Sequence, residues 1–248
     1  MSGALPTTPG RWKSLPREIE CLRVLVVAGV PIGVLVAGVG MRLAMLVLRL
    51  TSPRHVTGIT SDDGFIIGRV TLDGTYNLML LGSIAGIIGV AAYRAVAPWL
   101  LGPTWFRRVT LALASGVVVG AMLVRSDGVD FAVLEPTWLA IALFVAMPAT
   151  FAAAIGVAVD HVGDPDPDSW AVRGRRRWAV PLVLVVCFPV TVVPLAVAAA
   201  GLAVSLPVRR FAARAFEHVG VTVAVRAAWL AIAGVGLVAL VRDIDALT

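Results

Sequence analysis

Long apolar runs alternate along this chain with short polar stretches, and the lengths of the runs are those of membrane-crossing helices. An α-helix rises 1.5 Å per residue, so a hydrocarbon core roughly 30 Å thick needs about 20 mostly apolar residues to cross it. Six windows meet or nearly meet that length: 22–41, with apolar helix running on toward Leu50, then 78–100, 109–124, 138–159, 179–206 and 223–241. The polar segment 1–21 precedes the first window. That window is too long for the roughly 7–15-residue core of a cleaved signal, so it is expected to remain as a span. The predicted fold is an all-α polytopic membrane protein, one transmembrane domain over 22–248. The window 109–124 is short, so it is expected either to stand upright or to use Arg108 and Arg125 as snorkelling ends.

One stretch breaks the pattern. Residues 57–75, "TGITSDDGFIIGRVTLDGT", are polar and rich in strand-forming residues between two apolar runs. "VTGIT" and "FIIGRVTL" read as the arms of a β-hairpin over 56–75, with "SDDG" as its turn and "LDGT", Leu72 to Thr75, as a second turn into the next span. Asp and Gly suit turns, because Asp bonds nearby backbone and Gly tolerates positive φ; Val, Ile, Phe and Thr suit strands. The later loop "RSDGVDFAVLEPT", 125–137, repeats the theme, a faint sign of duplicated span–loop–span units.

Basic residues then orient the chain. Arg11, Lys13, Arg17 and Arg23 precede the first window, Arg107 and Arg108 lie between the second and third, and "RGRRR", 173–177, lies between the fourth and fifth. Cationic loops stay on the cytoplasmic side, so the N-terminus is expected in the cytoplasm of a bacterium, in its inner (plasma) membrane. Both acidic loops then face outward. The fifth window holds Pro181, Pro189 and Pro194 and admits two readings, a Pro-kinked single crossing or a re-entrant hairpin turning near 189–194. The kinked crossing is simpler and is the expectation; it places Arg209, Arg210 and Arg214 outside. "RRFAARAFEHVG", 209–220, has the repeat of an interfacial amphipathic helix.

Composition narrows the class further. The chain is 59% hydrophobic with mean hydropathy +0.92, against about 45–50% apolar in soluble domains. Its net charge of +6 rests on arginines beside apolar runs, a pattern of topology signals and anionic-lipid contact, and nucleic acid is not an expected partner. Glycines spaced by four, Gly29/Gly33, Gly82/Gly86 and Gly116/Gly120, let helix backbones approach closely in lipid. Packing within one bundle is the simpler account of them, oligomerisation the sharper one. Cys21 and Cys187 are expected at different depths and therefore as two small buried hydrophobes.

Candidate chemistry is sparse. The outer loops gather Asp62, Asp63, Phe65, Arg69, Asp73, Asp127, Asp130 and Glu135, a set suited to recognising a partner protein. Acidic turns also keep outer loops soluble, which is the plainer account of any single Asp. Arg175, Arg176, Arg177, Arg210 and Arg214 are candidate contacts for lipid headgroups. Asp160 and His161 precede Asp164, Asp166 and Asp168, but alternating prolines stiffen that stretch, so a solvated linker is expected and no metal or cofactor. Arg42, Arg49, Arg94 and Arg226 lie within or near apolar windows, whereas no carboxylate falls in the middle of one, which argues against a proton-coupled carrier. HExxH, GxSxG, GxxxxGK[ST] and CxxC are all missing, so an enzyme is not expected.

The arginine-for-lysine usage, the Ala/Val-rich spans and the "TSDDGFIIGRVTLDGT" cap resemble uncharacterised multi-pass integral membrane proteins of actinobacteria. Small proteins of that kind look like accessory subunits of envelope assemblies, Mce-type lipid importers among them. The resemblance implies a non-catalytic accessory subunit of a larger cell-envelope complex, docking through its spans and outer cap onto other membrane-protein subunits. The alternative is a small carrier for a lipid or amphipathic molecule, motivated by the Pro-broken window and the glycine-rich spans.

Overall fold

A computed structural model describes residues 17–52, 72–125, 134–163, 196 and 219–247. Every element among them is helical. The first span is one continuous rod: α1 (Arg17–Ile32), a π-helical stretch (Gly33–Gly40) and α2 (Met41–Thr51). Then come α3 (Leu72–Val96), a 3-10 turn (Ala97–Trp99), α4 (Thr104–Leu123), α5 (Thr137–Gly163) and α6 (Val219–Leu247). Five helices, Cys21–Thr51, Gly74–Val96, Thr104–Leu123, Thr137–Val162 and Gly220–Leu247, are long and apolar enough to cross a membrane. The chain is a multi-pass, membrane-embedded bundle.

The π-helical stretch has a local cause. Pro31 lies within the rod just before it, lacks an amide hydrogen and crowds the carbonyl one turn back, so the regular bonding pattern cannot run through. The wider winding that follows carries Gly33, Gly38 and Gly40, and it lies along α3. Glycine brings the two backbones together. A Cβ on Gly29 would sit 2.8 Å from the Gly86 carbonyl oxygen, and one on Gly82 would sit 2.5 Å from that of Gly33. Gly116 and Gly120 make the same kind of room on α4 for Val145 and Ala149 of α5. The spaced glycines therefore pack spans within one chain.

Two apolar clusters fill the bundle. One joins Val24, Val26 and Val30 of α1 to Ile87 and Val90 of α3 and Ile155 and Val159 of α5, with half-buried Cys21 against it. The other joins Leu48, Val124, Leu134, Ile141 and Leu240. The ends of the helices define two sides. At one, Arg23 near the start of α1 donates to the Val162 carbonyl at the end of α5 (3.0 Å), and Tyr93 near the end of α3 meets Asp160. At the other, the Ser52 hydroxyl donates to the Glu135 carbonyl (3.1 Å) and accepts from the Glu135 amide (2.8 Å), tying the end of α2 to the start of α5.

Three expectations change. Leu72–Thr75, read as a turn closing the hairpin, are the first turn of α3. Gly74 and Asn77 do not stop that helix, because the apolar run behind them extends it toward solvent. The rest of the hairpin, 56–71, and the fifth window, 179–206, lie outside the described residues. The short third window is a full 20-residue helix beginning at Thr104, so it has no need to stand upright. A single crossing by 179–206 would start α6 at the end opposite Gly163. Instead the Arg226 Nε donates to the Trp99 carbonyl (2.8 Å) at the Tyr93 end, and Leu240 joins Val124 and Leu134 at the Ser52 end. α6 thus runs parallel to α4, and α5 ends where α6 begins.

Candidate functional site

At the Tyr93 end, three polar side chains from three helices meet. Asp160 lies on the last turn of α5, Arg108 in the second turn of α4, and Tyr93 on the last turn of α3. The Asp160 carboxylate accepts at one oxygen, Oδ2, from Arg108 Nε (2.8 Å) and from the Tyr93 hydroxyl (3.2 Å). Gly156, one turn before Asp160, makes the room. A Cβ there would meet the Tyr93 ring at 3.0 Å and the Arg108 Cγ at 3.2 Å. The ion pair is about one-third exposed on both sides, which suits the boundary between hydrocarbon and headgroups. A charge-assisted bond there is stronger than in water and spares both ions a bare position in lipid.

The neighbouring 3-10 turn is gripped by two more arginines. Arg107 donates to the Ala97 carbonyl (3.4 Å) and to the Thr104 hydroxyl (3.3 Å), and Arg226 donates to the Trp99 carbonyl. Directly behind this polar end lies a cavity of about 250 Å³ between α3, α4, α5 and α6. Gly89 and Val96 of α3, Leu111 and Val119 of α4, Ile155 of α5 and Trp229 of α6 line it, almost wholly with carbon. Ser115, also on its wall, donates its hydroxyl to the Pro148 carbonyl across to α5 (3.2 Å).

The outer-loop residues fare differently. Asp62, Asp63, Phe65, Arg69, Asp127 and Asp130 lie outside the described residues, as do Arg175, Arg176, Arg177, Arg210 and Arg214. Asp73 falls in the first turn of α3, and Glu135 is exposed at the start of α5, held through its backbone by Ser52. Among the charges within the apolar windows, Arg49 and Arg94 are exposed and Arg42 is half-buried; Arg226 is fastened to the 3-10 turn. Arg108, one of the two candidate snorkelling ends, is ion-paired to Asp160. Among the described residues no group of three His, Cys, Asp or Glu is placed to hold a metal ion.

Sequence reasoning weighed Asp160, at the close of the fourth span, only with the solvated Asp/Pro stretch after it and so missed the Tyr93–Arg108–Asp160 cluster. The signal was present. With three spans of alternating direction, the end of α3, the start of α4 and the end of α5 must share one side, and each carries a polar residue at its boundary. Comparison of the chain with protein-family models, with curated proteins and with solved structures finds no match.

Proposed function

We propose that this chain is a non-catalytic integral membrane subunit of a larger cell-envelope assembly, such as a lipid-import transporter. It sits in the plasma membrane with its N-terminus and the Tyr93 end toward the cytoplasm, and it docks through its spans and outer cap. The observation that carries this reading is where the polar groups go. Arg23, Arg108, Asp160, Arg226 and Ser52 all bond one helix to another, so the described bundle uses its polar side chains as fasteners. The outer residues Asp62, Asp63, Phe65, Arg69, Asp73, Asp127, Asp130 and Glu135 then supply the docking surface.

Purification in a mild detergent, with mass spectrometry of co-purifying proteins, tests the proposal. A stoichiometric membrane-protein partner is expected, and replacing 61–72 with a short Gly/Ser linker should release it while leaving the bundle folded. The proposal fails if the chain purifies alone and moves a lipid between liposome leaflets unaided. That outcome would favour the second reading, a small carrier for a lipid or amphipathic molecule, which draws its support from the apolar cavity between α3, α4, α5 and α6.

A further inference from the structure

The cavity at the Tyr93 end has the length, lining and rim of a site for one lipid chain. Its wall on α4 runs from Leu111 to Val119, which at 1.5 Å per residue is about 12 Å along the helix. One leaflet of a bilayer offers about 15 Å of hydrocarbon, so the cavity spans most of a single leaflet and stops short of the other. Ala92 and Val119 on its wall are exposed, so it opens on the side of the bundle, where lipid lies. An apolar hollow of this kind does not hold water, because water there would find no polar partners.

The rim sets the headgroup. Arg107 and Arg226 reach the Ala97 and Trp99 carbonyls, two residues apart on the turn that follows Val96, a wall residue. Each arginine is also one turn from the wall, Arg107 before Leu111 and Arg226 before Trp229. Arg108 is balanced by Asp160, whereas Arg94, Arg107 and Arg226 face no carboxylate among the described residues. A guanidinium carries five N–H donors. Arg226 commits one of them to a described acceptor, and the Nε of Arg107 is buried with no hydrogen-bond acceptor among the described residues. Donors and positive charge are thus left over beside an apolar slot, at headgroup depth.

We propose that this cavity holds one acyl chain of an anionic phospholipid from the adjoining leaflet, with its phosphate on Arg107 and Arg226. The proposal concerns occupancy and holds whether the chain docks onto a complex or carries a lipid. Its test is native mass spectrometry of the delipidated protein titrated with phosphatidylglycerol or phosphatidylcholine. Quenching of Trp229 fluorescence by phosphatidylglycerol with brominated chains is read alongside, with Trp229→Phe as the reference for the other tryptophans. One phosphatidylglycerol per chain, bound in preference to phosphatidylcholine, is expected. Ala114 and Ala152 also line the cavity; Ala114→Phe and Ala152→Leu both fill it, and each should abolish that binding and the Trp229 quenching with helicity unchanged. Arg107→Gln with Arg226→Gln keeps donors to the turn but removes the charge, and should weaken phosphatidylglycerol roughly tenfold while sparing phosphatidylcholine. Either filled variant that folds and still binds as the wild type does would overturn the site. Equal loss of both lipids in the arginine variant would overturn the headgroup assignment.

Discussion

Replacing Gly29 by alanine adds one methyl group to the closest helix contact in the bundle, and the geometry says what that methyl group meets. It would lie 2.8 Å from the Gly86 carbonyl oxygen and 2.9 Å from both the Gly86 carbonyl carbon and the Ile87 nitrogen. All three are backbone atoms, so no side-chain rotation relieves the clash. An ordinary contact lies near 3.5 Å, so α1 and α3 must part by about 0.7 Å. The same two helices also hold Gly33 against Gly82, and Val26 and Val30 against Ile87 and Val90, so the separation loosens a whole seam. Overpacking of this kind costs about 1–3 kcal/mol, and the better helix propensity of alanine returns at most about 1 kcal/mol of it. A net loss on the order of 1–2 kcal/mol is expected, read from circular dichroism as the folded protein is titrated with sodium dodecyl sulfate in mixed micelles. Gly234→Ala is the matched control, since no described residue lies within 4 Å of a Cβ there, and it should be unchanged or slightly more stable. Identical unfolding curves for the two variants would refute the assignment of this seam as a backbone-to-backbone contact.

Further outcomes follow from the two ends of the bundle. With both native cysteines replaced, His161→Cys and Asp245→Cys should label from opposite sides of the membrane, because α5 ends where α6 begins; labelling from one side would restore the single crossing by 179–206. In a double-mutant cycle, Asp160→Asn and Arg108→Gln should couple by about 0.5–1 kcal/mol, discounted for a pair one-third exposed, and additive effects would show the ion pair to be idle. Ser52→Ala removes a hydroxyl that both donates to and accepts from the Glu135 backbone, and should lower stability in the same detergent titration by about 1 kcal/mol. A curve that overlays the wild type would mean that the start of α5 is held by its apolar neighbours alone.

Span existence was legible because it depends on length and apolarity, which one sequence states directly. The extension of the first rod past Gly40 toward Leu50 was legible for the same reason, since "MRLAMLVL" continues the apolar run. The glycine seam was half legible. Spacing named Gly29, Gly33, Gly82 and Gly86, but only coordinates could pair Gly29 with Gly86 and Gly33 with Gly82. The ends were less so, because composition alone does not stop a helix. "LDGT" has turn chemistry, yet a helix already propagating through an apolar run adds a turn at little cost, and α3 absorbs it. The Tyr93–Arg108–Asp160 cluster stayed hidden because its members are far apart in sequence and no local motif joins them. The direction of α6 was misread for another reason. The basic run 209–214 favoured the side of the other arginine-rich segments, but the simpler single crossing of 179–206 was preferred to it, and the Arg226–Trp99 bond puts the start of α6 at the Tyr93 end.

That bond also bears on how the protein is made. The cluster around Val24, Val90 and Ile155 draws nothing from α6, and only 6% of the most apolar stretch of α6 is buried. A ribosome completes the four earlier spans well before it reaches Val219. The glycine seam, the Tyr93–Arg108–Asp160 cluster and the Ser52–Glu135 tie can therefore all close while the last helix is still being synthesised. Helix association in lipid proceeds by docking of spans that are already formed. Among the described helices, α6 then joins the four earlier spans along α4, guided at one end by Arg226 and seated at the other by Leu240. Assembly is thereby staged, and a chain cut short before Val219 is expected to leave a folded remnant in the membrane.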